Sequence, residues 1–223
     1  MSEITEIDLD PLYEGLILDY RKSKNKSQWS TKGKIWISTL VSTDCDRKLR
    51  FIFDDAPKDQ NEDDWPGLES EIGILIHDII QKSFVEKKGL DKIEKKIFIV
   101  IEGVKINMKV DGVFKNGNLL EIKTLGSKDY DLKQPREKDV LQANFYLGIT
   151  KANSVIITYL KRENGQHIKS FQITFDRERY KKVIMRICNI IKDRNLRVDK
   201  RSCRFCQFTK ICKEKGYRTW ELK

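Results

Sequence analysis

Asp111, Glu121 and Lys123 fall close together in the stretch VDGVFKNGNLLEIK, Val110–Lys123. Glu121 and Lys123 are two apart, so in a strand their side chains project to the same side of the sheet. Two carboxylates and an ammonium on one face can hold a divalent cation and position a water for attack on a phosphate. By itself the pattern is weak, because 35% of the chain is charged and a solvated hairpin face would carry the same letters. A second group of candidate ligands lies in the tail, CRFCQFTKIC, with Cys203, Cys206 and Cys212. A C-x2-C pair with a third thiol nearby is metal-ligand spacing, since a short turn brings two thiolates into one coordination sphere. A tetrathiolate site needs a fourth ligand, from Cys45 or Cys188. Cys45, between Asp44 and Asp46, is the better placed; Cys188 sits among apolar helix residues and reads as a small core residue. Of the two histidines, His77 follows Gly73 by four residues beside an apolar helical stripe, and is either a core histidine or a ligand. His167 is assigned no role.

These residues need elements to position them. Val104–Phe114 and Leu119–Thr124 read as strands around the turn signal Asn116-Gly117. A strict two-residue turn would pair Lys115 with Asn118 and Asp111 with Ile122, pointing Asp111 away from Glu121 and Lys123. The site therefore requires a register shift of one, through a three-residue loop or a bulge, with Gly112 and Gly117 as candidates. Ile97–Ile101 precedes them, turning at Glu102-Gly103, to make a three-stranded meander. Trp65-Pro66 opens a helix over about Gly67–Lys88, with Ile72, Leu75, Ile76, Ile79, Ile80 and Phe84 as its buried stripe. Gly73 inside that helix costs about 1 kcal/mol relative to Ala, which suggests that a backbone or ligand comes close.

A second helix runs from Pro135 to about Gly148, with Leu141, Phe145 and Ile149 facing the core and Gln142 and Tyr146 four apart. Val155–Lys161 and His167–Phe175 form a hairpin around Asn164-Gly165, and Asp176 caps a last helix, Arg177–Asn195. Upstream, Pro11–Lys24 has amphipathic helical spacing, Lys22–Lys34 is a basic loop, and Ser38–Phe53 resumes helical character with Cys45 inside it. Asp54–Asp64 is an acidic loop, expected away from any polyanion.

The 223 residues suit a single domain with a real core. A balance of 44 Lys+Arg against 34 Asp+Glu leaves a formal +10, which favours nucleic acid as partner ahead of a membrane surface. No apolar run reaches membrane-spanning length, and the acidic start MSEITEIDLD is unlike a signal peptide, so a cytoplasmic protein is expected. In that reducing compartment five cysteines are ligands, nucleophiles or core residues before they are disulfides.

Taken in order, these residues resemble the RecB-type branch of the PD-(D/E)xK nucleases. The similarity is greatest to its iron–sulfur members, the CRISPR-associated four-cysteine exonucleases and the nuclease domain of AddB. Cys45 matches the upstream cysteine, Gly73-x-x-x-His77 the helix that supplies a histidine ligand, Asp111 the first acid and Glu121-Ile122-Lys123 the ExK motif. Gln142-x-x-x-Tyr146 matches the following helix motif, and Cys203, Cys206 and Cys212 the C-terminal cluster ligands. Val110 stands where the motif's name has proline.

The resemblance implies an α/β, restriction-endonuclease-like core with a central mixed sheet flanked by helices. It places the nuclease core at about 65–195 of a single domain, 1–223, with an iron–sulfur module joining 36–53 to 196–223. It further implies a 4Fe-4S cluster on Cys45, Cys203, Cys206 and Cys212, and a Mn²⁺ or Mg²⁺ site from His77, Asp111, Glu121 and the Ile122 carbonyl. An imidazole ligand favours Mn²⁺. Lys123 would orient the attacking water, and Gln142 and Tyr146 would contact or stack on the strand being cut.

The implied activity is a DNA exonuclease acting on single strands, 5′ to 3′, in CRISPR adaptation, recombination and repair, or viral DNA processing. Its partners would be DNA and CRISPR adaptation or recombination proteins, with homo-oligomerisation left open. Two other classes compete: a zinc-stapled DNA-binding module with a merely structural hairpin, and an inactive accessory relative.

Overall fold

The computed structural model describes residues 35–59, 68–87, 89–199, 201, 203 and 206–217. The features expected at Pro11–Lys24, Lys22–Lys34, Trp65-Pro66 and Arg204 lie outside these residues. Those described belong to one compact unit, Gly33–Lys223.

Six strands form one mixed sheet: β1 (Ile35–Trp36), β2 (Leu90–Ile101), β3 (Val104–Phe114), β4 (Leu119–Leu125), β5 (Ser154–Lys161) and β6 (His167–Thr174). Their order is β1-β3-β4-β5-β6, with β2 pairing β3. β4 and β5 run parallel, as do β1 and β3; the other pairs are antiparallel. The helices are α1 (Ile37–Ser42), α2 (Asp46–Phe53), α3 (Leu68–Glu86), α4 (Glu137–Thr150), α5 (Arg177–Ile191) and α6 (Thr209–Glu214).

Alternation along β4 divides the core. Leu119 and Leu125 join Leu40, Leu49, Phe145 and Ile187 in the larger cluster, under α1, α2, α4 and α5. Leu120 and Ile122 join Ile76 of α3, Leu90 and Leu160 on the other side. The sheet is thus flanked by helices, as expected, and α4 is the crossover between its parallel strands β4 and β5.

Several expected boundaries move. Ser38–Phe53 is two helices, α1 and α2, because the polar run Ser42–Asp44 breaks the pattern and leaves Cys45 extended at the N-cap of α2. β2 begins at Leu90 rather than Ile97; its charged first half, mostly exposed, carries no apolar alternation to read. The helix expected to be the last, α5, ends at Ile191 rather than Asn195, and α6 follows it in the tail. On α3 the buried stripe is narrower than expected, since Leu75 and Ile79 are 44% and 62% exposed. Cys188 is half-buried rather than core.

A buried ion pair ties the α1–α2 break to the rest of the molecule. Arg186 of α5 donates to Asp46 Oδ1 at 2.8 Å and to the Leu40 carbonyl at 2.7 Å, and also bonds the Thr43 carbonyl. Asp46 Oδ2 accepts the Arg197 N–H at 2.8 Å, and the Asp46 N–H donates back to the Arg197 carbonyl at 2.7 Å. Cys45 is therefore held between the α5 side and the start of the tail before any metal is considered.

Candidate active site

The β3–β4 turn has three loop residues. Phe114 donates to the Asn118 carbonyl and Gly117 to that of Phe114, both at 2.8 Å, and Gly117 has φ +81°. A glycine in the left-handed region closing a three-residue hairpin is the bulged form that two-residue loops lack. The register becomes Gly112 with Leu120 and Val113 with Leu119, which puts Asp111 across from Glu121 rather than Ile122.

β3 and β4 pair at those two positions and then part. The Asp111 carboxylate fills the gap: its Oδ2 accepts the Ile122 N–H at 2.7 Å, where a strand carbonyl would otherwise stand. His77 Nδ1 lies 3.6 Å from the same Oδ2. Gln81, one turn after His77, donates to the Asp111 carbonyl at 3.0 Å and fixes the backbone there. At Gly73 the close neighbour is a side chain rather than the expected backbone or ligand: a Cβ there would stand 3.1 Å from the Thr124 hydroxyl. His77, Gly73, Thr124, Lys109, Glu94 and Arg162 line an open cavity of about 320 Å³ beside this site.

Lys123 Nζ lies 2.7 Å from Glu121 Oε1 and donates to Gln142 Oε1 at 3.0 Å. Gln142 Nε2 donates in turn to Glu121 Oε1 at 2.8 Å and Tyr146 Oη at 2.6 Å, and Tyr146 Oη donates to the Lys109 carbonyl at 3.0 Å. The role expected for Gln142 and Tyr146 needs correction on this point. They are 3% and 1% exposed, so Tyr146 has no open ring face on which a base could stack. Both are instead braces from α4 to the strands that carry the acids. Asp139 was not singled out in the sequence. Its Oδ1 lies 4.0 Å from Lys123 Nζ, and its spacing of three before Gln142, on one helical face, was the available signal. Gln81, four after His77, had the same signal.

Glu121 is 3% exposed, and its Oε2 has no hydrogen-bond partner among the described residues. Burial pushes its carboxyl from an ordinary 4.5 up to about 7; Lys123 opposes this and the Asp111 charge adds to it. Burial works against the Lys123 charge too, but Glu121 and Asp139 together more than offset it and hold the ammonium above its ordinary pKa. The stability consequence follows from the proton count. Between pH 4.5 and 7 the folded state binds the Glu121 proton that the unfolded state has lost, so stability falls as pH rises and the loss is complete above about 7. At about 1.4 kcal/mol per pKa unit this is a change of a few kcal/mol. Urea unfolding of metal-free protein at several pH values should show this slope, and the slope should be absent in Glu121→Gln.

The thiols gather elsewhere. Cys45, Cys203, Cys206 and Cys212 line one cavity with Phe51, all four free. The C-x2-C turn is closed by the Cys206 N–H on the Cys203 carbonyl at 3.2 Å, and Thr209 Oγ1 donates to the Cys206 carbonyl at 2.8 Å. Burial raises the pKa of Cys206 and Cys212, while Arg47 acts the other way at Cys212. Cys188 is not among the lining residues. The tail also has anchors of its own: Phe208 is buried against Phe51 at 5.6 Å, and the Asp59 N–H donates to the Gln207 carbonyl at 2.7 Å.

No protein-family model matches the chain, and no curated protein matches it in sequence. Among solved structures it is similar to SSO0001, with 19% identity and a TM-score of 0.60 over 87% of this chain and 91% of that one. It is similar to LHK-Exo in complex with dAMP, with 14% identity and a TM-score of 0.54 over 74% and 89% of the two chains. The alkaline exonuclease LHK-Exo from Laribacter hongkongensis gives 13%, 0.52, 75% and 91%. At these identities the likeness is one of fold: the mixed sheet flanked by helices is shared with exonuclease structures.

Proposed function

We propose that the chain is a metal-dependent deoxyribonuclease that shortens single-stranded DNA from an end. The observation that carries this reading is the hairpin register, which gathers Asp111, Glu121 and Lys123, with His77 beside Asp111, and leaves a buried Glu121 oxygen without a partner among the described residues. The fold shared with LHK-Exo, an alkaline exonuclease seen with dAMP, supports it. The 5′-to-3′ polarity, the single-strand preference and a place in CRISPR adaptation, repair or viral DNA processing rest on the sequence resemblance. So does the division into a nuclease core at about 65–195 and a module of 36–53 with 196–223.

Among the described residues no three His, Cys, Asp or Glu side chains stand ready to hold one metal ion. Asp111 is engaged by Ile122, and Glu121 Oε1 by Lys123 and Gln142. The donor chemistry nevertheless fits. The unpartnered Glu121 Oε2, the Asp111 carboxylate and the His77 imidazole are a hard-to-borderline set suited to Mn²⁺ or Mg²⁺, with the Ile122 carbonyl as a further oxygen. Such a cation, when bound, supplies the charge that makes water a nucleophile near neutral pH and neutralises a phosphate oxygen. Lys123 is pre-aimed by Glu121 and Gln142 to orient the attacking water and offset charge developing on phosphorus. Gln142 and Tyr146 hold both strands in place during the reaction.

The four thiols form a second metal centre in this reading, a 4Fe-4S cluster by resemblance, which positions the tail and Lys210 near the DNA path. All four line one cavity, as ligands of a single centre must. The second reading, a zinc-stapled binding module, draws on the same four thiols. Digestion of end-labelled single-stranded oligonucleotides, with Mn²⁺ or Mg²⁺ added back after chelation, decides between them. We expect cleavage from one end, at least as fast in Mn²⁺ as in Mg²⁺. Tight DNA binding with no cleavage in either metal would establish the binding module.

A further inference from the structure

Lys123 is surrounded by three acceptors, and the mechanism above uses two of them. The third is Asp139, in the first turn of α4, with its side chain 4% exposed and Oδ1 4.0 Å from the ammonium. Its other oxygen is fully committed: Oδ2 accepts from Tyr159 Oη at 2.8 Å and from Arg136 Nε at 2.8 Å. Tyr159 is the residue of β5 directly paired with Lys123 of β4. Its hydroxyl accepts the Arg136 N–H at 3.1 Å, and its ring packs edge-on against Phe171. Asp139 is thus fastened to the strand beside Lys123, leaving Oδ1 as the oxygen nearest to it.

Glu121 has two demands on one carboxylate. Oε1 already takes Lys123 and Gln142, while Oε2 is the oxygen left for the reacting centre. Whenever Glu121 gives charge to that centre, its hold on Lys123 weakens, and an ammonium in a mostly buried place needs another counter-charge to stay put.

We propose that Asp139 is the positioning residue for Lys123, keeping the ammonium aimed while Glu121 serves the metal and the phosphate. The inference rests on the nuclease reading. Asp139 also suits a helix N-terminus electrostatically, so lost stability alone would not separate the two roles. The split between kcat and KM does.

The test uses the full chain with Mn²⁺ and a single-stranded oligonucleotide, comparing wild type, Asp139→Asn and Tyr159→Phe, with thermal unfolding measured in parallel. Asp139→Asn should lower kcat by about 10- to 100-fold, as a small misplacement of a reacting group does, with KM within about twofold. Tyr159→Phe leaves Arg136 on the carboxylate and should fall between Asp139→Asn and wild type. A folded Asp139→Asn with wild-type kcat, or with its loss wholly in KM, overturns the proposal. If Asp139→Asn does not fold, an unchanged kcat in Tyr159→Phe does the same. A wild type that cleaves nothing removes the nuclease reading and this inference with it, whereas active wild type with an equally active Asp139→Asn removes the inference alone.

Discussion

Glu121→Gln is expected to abolish cleavage, with kcat down by about a thousandfold or more and single-stranded DNA binding within about threefold of wild type. Glutamine keeps the shape, and its carbonyl can still accept from Lys123 and Gln142, so the α4–β4 bracing survives. What disappears is the charge on a buried carboxylate oxygen that has no partner among the described residues. Asp111 calls for the same care. Alanine there would strand the Ile122 N–H, whereas Asp111→Asn retains an acceptor for it and removes the charge beside His77. The informative pair is therefore Glu121→Gln and Asp111→Asn, assayed for cleavage and for DNA binding on the same preparations. Wild-type cleavage by Glu121→Gln would take the hairpin out of the active site altogether.

The second large effect concerns the thiols. Each of Cys45→Ser, Cys203→Ser, Cys206→Ser and Cys212→Ser should lose bound metal, and Cys188→Ser should keep it, because Cys188 does not line their cavity. A metal joining Cys45 to the tail closes nearly the whole sheet and its flanking helices into one loop. Restricting the unfolded chain over so long a loop stabilises by about 5 kcal/mol, by the same logic as a disulfide. In a domain of this size that corresponds to roughly 10 °C in melting temperature. The sheet and its helices should stay folded without the metal, since the Asp46–Arg186 pair and the buried Phe208 hold the two ends independently. Iron, sulfide and zinc content of the five variants, with their melting curves, checks this. A full metal complement in Cys45→Ser, or its loss in Cys188→Ser, would mean the wrong fourth ligand.

What the sequence determined by itself was what is written in short spacings. The period of two put Glu121 and Lys123 on one face, and their distance of 2.7 Å follows from that. The period and the turn signal alone gave a two-residue hairpin with Asp111 facing away; requiring Asp111 to join Glu121 called for a register shift of one, and the three-residue loop at Lys115–Gly117 supplies it. Asp176 capping its helix through the Glu178 and Arg179 N–H groups was legible for the same local reason. The tertiary structure alone decided what long-range packing decides. Gln142 and Tyr146 look like surface recognition residues in a pattern of four, yet α4 is buried on nearly all sides and turns them into braces. Asp139 is anonymous in a chain so rich in acids, and acquires meaning only when the parallel pairing of β4 and β5 sets Tyr159 beside Lys123. The break between α1 and α2 looked like continuous helix until Arg186, far away in sequence, gathered the carbonyls and the carboxylate that the break exposes. Periodicity reports the face an element presents. The partner that face meets is set by chain topology and by the need to satisfy every polar group it buries.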